Sequence, residues 1–225
     1  MRSPPAEGIW WAPHRASWWI GVLFAIGSSC FAIAPFPGFV QLVGSGIDGA
    51  VFFVGSIFFT SAAALQCVES IRAGPSPSRR LDRWSSVVQF AGTLLFNVNT
   101  FRAMQTGFAN PEYNRLVWAP DAVGSACFLV SGYLAYVATC GCLFCWRRRD
   151  LEWRIAAVNL LGCVAFGISA IASFVVPSTG SVVDLAAANV CTAFGGFCFL
   201  AGAVLLLREG ARGAGASARS LTAGA

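Results

Sequence analysis

Apolar residues gather in six blocks along the chain, at about residues 18–34, 47–68, 84–104, 121–145, 153–176 and 182–207, with polar residues between them. Blocks of about 20 apolar residues are long enough to cross a bilayer core of about 30 Å as helices. The pattern predicts an all-α polytopic membrane protein with six transmembrane helices. Inside every block one short pattern returns: a glycine, a small residue, two free positions, then a phenylalanine. The pairs are Gly27 and Phe31, Gly55 and Phe59, Gly92 and Phe96, Gly124 and Phe128, Gly162 and Phe166, and Gly195 and Phe199. With 24 glycines and 19 phenylalanines, chance placement gives about two Gly-xxx-Phe pairs. The chain has seven, counting Gly49 and Phe53, so the pattern is not an accident of composition.

Residues at i and i+4 share a helix face. The i+8 positions (Pro35, Ala63, Thr100, Gly132, Ala170 and Ala203) extend that face, and all but the proline are small. In lipid, burying apolar surface gives helices no drive to associate, so close backbone approach and van der Waals contact must supply it. The stripe is expected to be a helix-packing seam, with a ligand-lining role for the phenylalanines as the alternative. Consecutive blocks pair as hairpins 18–68, 84–145 and 153–207; glycine separations are 28, 32 and 33 within hairpins and 37 and 38 between them. Trp19, Trp84 and Trp153 open the odd blocks. The chain thus reads as three pseudo-repeated hairpins. A cytoplasmic N-terminal segment, 1–17, precedes them, and a tail at 208–225, rich in Gly, Ala and Ser, is expected to be disordered.

Composition narrows the class. The chain is 56% hydrophobic and 11% charged, with mean hydropathy +0.67, which excludes an ordinary soluble domain. The net charge of +5 comes from arginine, as there is no lysine. Thirteen of the 15 Lys+Arg residues lie in the N-terminal segment, the linkers after the second and fourth blocks, and the tail; Arg102 and Arg115 are the others. The positive-inside rule then places both termini in the cytoplasm of a bacterial cell, in its plasma membrane. The basic balance reflects this topology, so no nucleic-acid partner is expected.

The six Gly-[Ser/Thr/Cys/Gly]-x-x-Phe cores resemble the Gly-Ser-x-x-Phe signature of YrhK-like membrane domains. The chain as a whole is similar to multi-pass actinobacterial proteins containing such domains, in stretches such as Trp19-Ile20-Gly21-Val22-Leu23-Phe24-Ala25-Ile26-Gly27-Ser28. The resemblance implies a small helical membrane protein. It carries over no catalytic residue.

Polar residues inside the blocks are the candidate functional positions. At about 100° per residue, Gln66, Gln89, Asn99 and Asn159 fall near the glycine face, and Asn97 and Asn189 farther round. Amides facing lipid are costly, so these are expected to bond between helices, with a polar solute path as the alternative. Asp48, Asp121 and Asp184 open the even blocks, where helix capping or dipole stabilisation explains each and pairing with Arg102 or Arg115 is the alternative. Cys140, Cys142 and Cys145 form the one metal-like cluster, but zinc takes four ligands and the single histidine, His14, is remote in sequence. A disulfide framework is not expected, and acylation or redox sensing of this cluster remains open. No phosphate loop, nucleophile elbow or paired intramembrane carboxylate appears, so a membrane enzyme ranks third among the readings, and no cofactor or metal is expected.

Two functional classes follow. The first is a packed membrane scaffold or interaction protein, embedded in the lipid bilayer, with a protein partner or a second copy of itself. The second is a small-solute or ion transporter with a polar path at the membrane midplane. Reporter fusions at the two ends are expected to give the same, cytoplasmic, signal; opposite signals would mean an odd number of crossings.

Overall fold

The three-dimensional structure, a computed structural model, describes residues 11–74, 76, 79–105 and 110–223, without the side chains of 110, 111 and 210–223. Residues 1–10 of the N-terminal segment, and Pro75 and Pro77 of the second linker, lie outside the described residues. The elements are α1 (Ala16–Ile33), α2 (Pro37–Val43), α3 (Ser45–Arg72), α4 (Arg80–Ala103), α5 (Asn110–Tyr113), a π-helical turn (Asn114–Trp118), α6 (Ala119–Cys140), α7 (Leu151–Ala172) and α8 (Leu185–Ala223). The β pairing among the described residues is one isolated bridge, Val175 to Val182.

Local chemistry sets the boundaries. Pro35 follows the end of α1, and Pro37 restarts the chain as the first residue of α2, where its missing N–H costs nothing. The short α2 fills most of the stretch between the first two apolar blocks, and Gly44, at φ +81°, turns the chain into α3. α6 stops at Cys140, five residues earlier than its apolar block suggests, because Gly141 takes the left-handed conformation (φ +70°) that closes helices. The stretch expected as a polar outer loop is helical from Asn110 onward. Pro120 has no N–H to donate, and the widened turn just before it, in which Ala119 N–H bonds Asn114 O, lets the helix continue into α6.

Two further expectations are corrected. The fifth and sixth blocks give shorter helices at their facing ends, since the Val175–Val182 bridge and a turn at Gly180 (φ +69°) occupy the connection. The tail expected to be disordered continues α8 to Ala223. Alanine and arginine are strong helix formers and a helix already nucleated propagates cheaply, which offsets about 1 kcal/mol per glycine.

The six long helices close into a ring in chain order: α1 packs on α3, α3 on α4, α4 on α6, α6 on α7, α7 on α8, and α8 returns to α1. The repeated motif explains this geometry residue by residue. Its glycines face the other helix of the same hairpin. A Cβ on Gly27 would lie 2.8 Å from Gly55 O, one on Gly92 would lie 3.1 Å from Gly124 O, and one on Gly162 would lie 3.2 Å from Gly195 O. The small residue that follows faces the adjacent hairpin. Ser56 Oγ meets Thr100 Oγ1 at 2.9 Å, Ser125 Oγ donates to Phe166 O at 3.4 Å, and a Cβ on Gly132 would touch Cys163 Sγ at 2.8 Å. At Gly196 a Cβ would come within 2.5 Å of Ala32 N, so α8 and α1 meet backbone to backbone.

Residues i and i+1 point about 100° apart, and i+4 lies about 40° from i, between them. The two neighbours of a helix in a six-membered ring are about 120° apart as seen from its axis, a close match to this spacing. The phenylalanine therefore points at the centre of the ring. All six, Phe31, Phe59, Phe96, Phe128, Phe166 and Phe199, are buried there.

The outside of the ring carries exposed Ile26, Ile57, Leu94, Val130, Val164 and Phe197. Five of the six long helices are long and apolar enough to cross a membrane, and their surface marks a membrane protein in contact with the lipid bilayer. The sixth, α4, is not among them. Its Ser85, Ser86, Thr93 and Thr100 are buried while Leu94, Val98 and Phe101 face out, so averaging around the helix understates its outer face.

Gly196→Ala is expected to lower thermal stability in detergent more than Gly162→Ala, by about 1–3 kcal/mol for the strained substitution. At Gly162 nothing would lie nearer than 3.1 Å, and the nearest backbone atom, Gly195 O, is at 3.2 Å. Equal melting temperatures for the two variants would contradict the backbone contact between α8 and α1.

Candidate functional site

The axis of the ring is the candidate site, and it has three parts. At its middle the six phenylalanines form two triangles. Phe31, Phe96 and Phe166, from α1, α4 and α7, lie 6.2, 5.9 and 5.8 Å apart by ring centroid. Phe59, Phe128 and Phe199, from α3, α6 and α8, lie 6.0, 5.3 and 6.2 Å apart. The triangles interlock through the Phe96–Phe128 stack at 4.8 Å and the Phe166–Phe199 stack at 5.5 Å. Each such ring pair contributes about 0.5–1.5 kcal/mol beyond its buried area. The space left inside this plug is about 10 Å³, room for a single water at most.

Above and below the plug the axis widens. At the end carrying the linker arginines a cavity of about 360 Å³ is lined by Gln66, Gln89, Asn159, Asp82, Glu152 and Glu209, among others. At the far end a cavity of about 380 Å³ is lined by Asp48, Asn99, Asp121, Asn189, Tyr113 and Trp118, with Phe31, Phe96 and Phe166 as its floor. Five of the chain's ten acidic residues line one cavity or the other, and no described arginine lines either.

Local bonding shows which polar groups hold the bundle and which face open space. Hydroxyls do most of the bonding between helices. Thr60 Oγ1 donates to Asn97 Oδ1 at 3.1 Å, Ser70 and Ser86 share a hydrogen at 2.7 Å, Ser85 Oγ donates to Ser131 O at 2.8 Å, and Ser169 Oγ donates to Ala188 O at 2.9 Å. Such bonds average about 0.6 kcal/mol in membranes, so their number matters more than any one of them. Asn99 Nδ2 donates to Asp121 Oδ1 at 2.9 Å, which ties α4 to α6.

Gln66, Gln89 and Asn159 make no hydrogen bond to the described protein, and all three line the basic-end cavity. The bonding expected of them between helices is absent, and they line open space instead. Asn159 instead lies over Gly202 of α8, which has no side chain to displace it. Asn189, expected farther round its helix, lines the far cavity, since the ring centre lies beyond the glycine direction and toward it.

The three aspartates separate in role. Asp184 caps α8, accepting from Ala187 N at 2.9 Å. Asp48 does not cap: Gly44 holds the start of α3, and Asp48 Oδ1 is shielded without a partner. Asp121 is not at a helix start either, since the helix enters from Asn110, and its partner is Asn99. Arg102 donates to Gln105 Oε1 at 3.2 Å. Burial pushes the Tyr113 phenol up, and the nearby Asp121 carboxylate adds to that shift.

At the basic end Cys140 and Cys145 form a disulfide, where no such bond was expected. The left-handed turn at Gly141 folds the chain back so that their Cα atoms are 5.7 Å apart, within bonding range. Trp153 Nε1 and the Tyr136 hydroxyl both donate to Cys145 O, which fixes this turn against α6 and α7. Cys142 remains a free, exposed thiol. The far connection is tied in a comparable way: Asn114 Nδ2 donates to Val175 O at 2.6 Å, and Trp118 Nε1 to Ala170 O at 2.7 Å.

Asp82, Glu152 and Glu209, on the rim of the basic-end cavity, were not singled out from sequence. A usable signal existed. Asp82 and Glu152 each lie ten residues before the motif glycine of their helix, Gly92 and Gly162, and so occupy the same place.

No family model, no curated protein and no solved structure matches the chain.

In a cysteine-free background, single cysteines at Gln89 and Asn99 are expected to react with a charged aqueous thiol reagent, and one at Thr93, fully buried beside the plug, to resist it. Protection at all three positions would mean that the cavities are dry.

Proposed function

We propose that the protein moves a small polar or cationic solute along the axis of the ring, with the phenylalanine plug as a closed gate between two wet cavities. The observation that carries this reading is the distribution of charge: half of the carboxylates meet on the axis, without arginine, on both sides of one apolar barrier. A low-dielectric vestibule lined by one sign of charge concentrates the opposite ion.

The same proposal takes the chain as six membrane spans in three pseudo-repeated hairpins of YrhK-like character, in a bacterial plasma membrane with both termini cytoplasmic. Matched positions support it. Seven residues before the even glycines, Asp48, Val117 and Ala188 all line the far cavity; three before them, so do Phe52, Asp121 and Thr192. Three before the odd glycines, Phe24, Gln89 and Asn159 all line the basic-end cavity. Five apolar helices and one with its polar side turned inward are consistent with six crossings.

A second reading, a packed scaffold or interaction protein, is favoured by the tightness of the plug, whose void of about 10 Å³ admits no solute without movement. The two readings separate in liposomes. Reconstituted protein is expected to release trapped potassium faster than empty liposomes do, and Phe96→Ala with Phe128→Ala, which removes the stacked pair, to raise that release at least tenfold, about 1.4 kcal/mol in barrier. Folded wild-type and variant protein that both leave the liposomes sealed would favour the scaffold.

A further inference from the structure

Resting on the reading that the cavities take solute, we propose that the far cavity binds an organic ammonium ion between aromatic rings and the Asp48 and Asp121 carboxylates. Its volume of about 380 Å³ falls in the range of small-molecule sites, about 300–1,000 Å³. Its floor is the Phe31, Phe96 and Phe166 triangle, and Phe52, Tyr113 and Trp118 complete the walls. Aromatic faces attract cations, most strongly where water is excluded.

The two carboxylates come from α3 and α6, helices that are not neighbours in the ring. Asp121 is oriented by a single amide donor, Asn99, and Asp48 Oδ1 has no partner. No described arginine lines the cavity, so this negative charge has no counter-charge there. A carboxyl buried in this way is costly to ionise until a cation joins it.

The lining also distinguishes between kinds of cation. A bare metal ion needs several oxygen ligands converging on one point. Among the described residues no three His, Cys, Asp or Glu side chains come together in that way. Four of the cavity's hydroxyls are engaged elsewhere: Thr100 bonds to Phe96 O and Ser56, Ser169 to Ala188 O and Thr192, Thr192 to Ala188 O, and Ser173 to Ala170 O. Rings with two separated carboxylates suit a charge spread over a methylated or alkylated nitrogen.

Isothermal titration of the purified full chain in detergent with benzyltrimethylammonium tests the assignment. Saturable binding of one ion per chain is expected, weakened about tenfold or more, or about 1.4 kcal/mol, in both Asp48→Asn and Asp121→Asn. Glu69→Gln, at an exposed position that lines neither cavity, should leave affinity unchanged. Neopentylbenzene, the neutral analogue of the same shape, should not bind, and sodium or potassium chloride at matched ionic strength should not compete. The assignment is overturned by an absence of saturable binding, by unchanged affinity in both aspartate variants, by equal binding of the neutral analogue, or by competition from the inorganic ions. If Asp121→Asn fails to fold, Asp48→Asn decides, since Asp48 Oδ1 holds no hydrogen bond to lose. Binding without release of either potassium or trapped benzyltrimethylammonium from liposomes would remove the transport reading and leave this site; release of potassium without binding would remove this site alone.

Discussion

Close approach between helix backbones is the constraint on which the bundle rests. In lipid the apolar surface of one helix is as well solvated as that of the next, so contact has to be earned through short distances and many dispersion terms. The chain achieves these distances at two adjacent positions per helix, a glycine and the small residue after it, aimed at the two neighbours in the ring. Seen down the axis, the angle between these positions is close to the angle a hexagon requires. Six helices follow from that angle as much as from the number of apolar blocks.

The same geometry forces the interior to be uneven. With phenylalanine placed at the bisecting position of every helix, six rings must meet at one level, and they fill it. One or two turns away the side chains nearest the axis are amides, hydroxyls and carboxylates, which cannot fill the same volume without leaving polar groups unbonded. Cavities therefore flank the plug on both sides. The hydroxyl bonds between helices lie around this interior, linking α3 to α4, α4 to α6 and α7 to α8. A bundle held at its perimeter tolerates empty space along its axis.

Much of this was legible in the residues. The glycine and phenylalanine spacing pointed to a shared inward face; of the polar interior candidates, Gln66, Gln89, Asn99, Asn159, Asp48 and Asp121 line the two cavities and Asp184 lines neither. Measuring angles from the glycine alone, rather than from the line midway between the two small positions, placed Asn189 too far from the centre. Asp48 and Asp121 stand in first helical turns but do not cap them, because propensity cannot show that a helix enters from eleven residues upstream or that a glycine already holds its start. The Cys140–Cys145 bond depended on the conformation of Gly141, a single backbone torsion that composition does not report. The continuation of α8 shows the reverse error: a glycine-rich composition suggests disorder, yet an established helix extends through it.

A ring has no first helix. Since α8 returns to α1 through the contact of Gly196 with Ala32, the chain's two ends enter and leave the circle side by side. Where the polypeptide is cut is then a matter of gene order rather than architecture. A permuted chain, opened at the linker before α4 and joined from α8 to α1, would keep every interhelical surface intact, and hairpins supplied as separate polypeptides would find the same partners at their flanks.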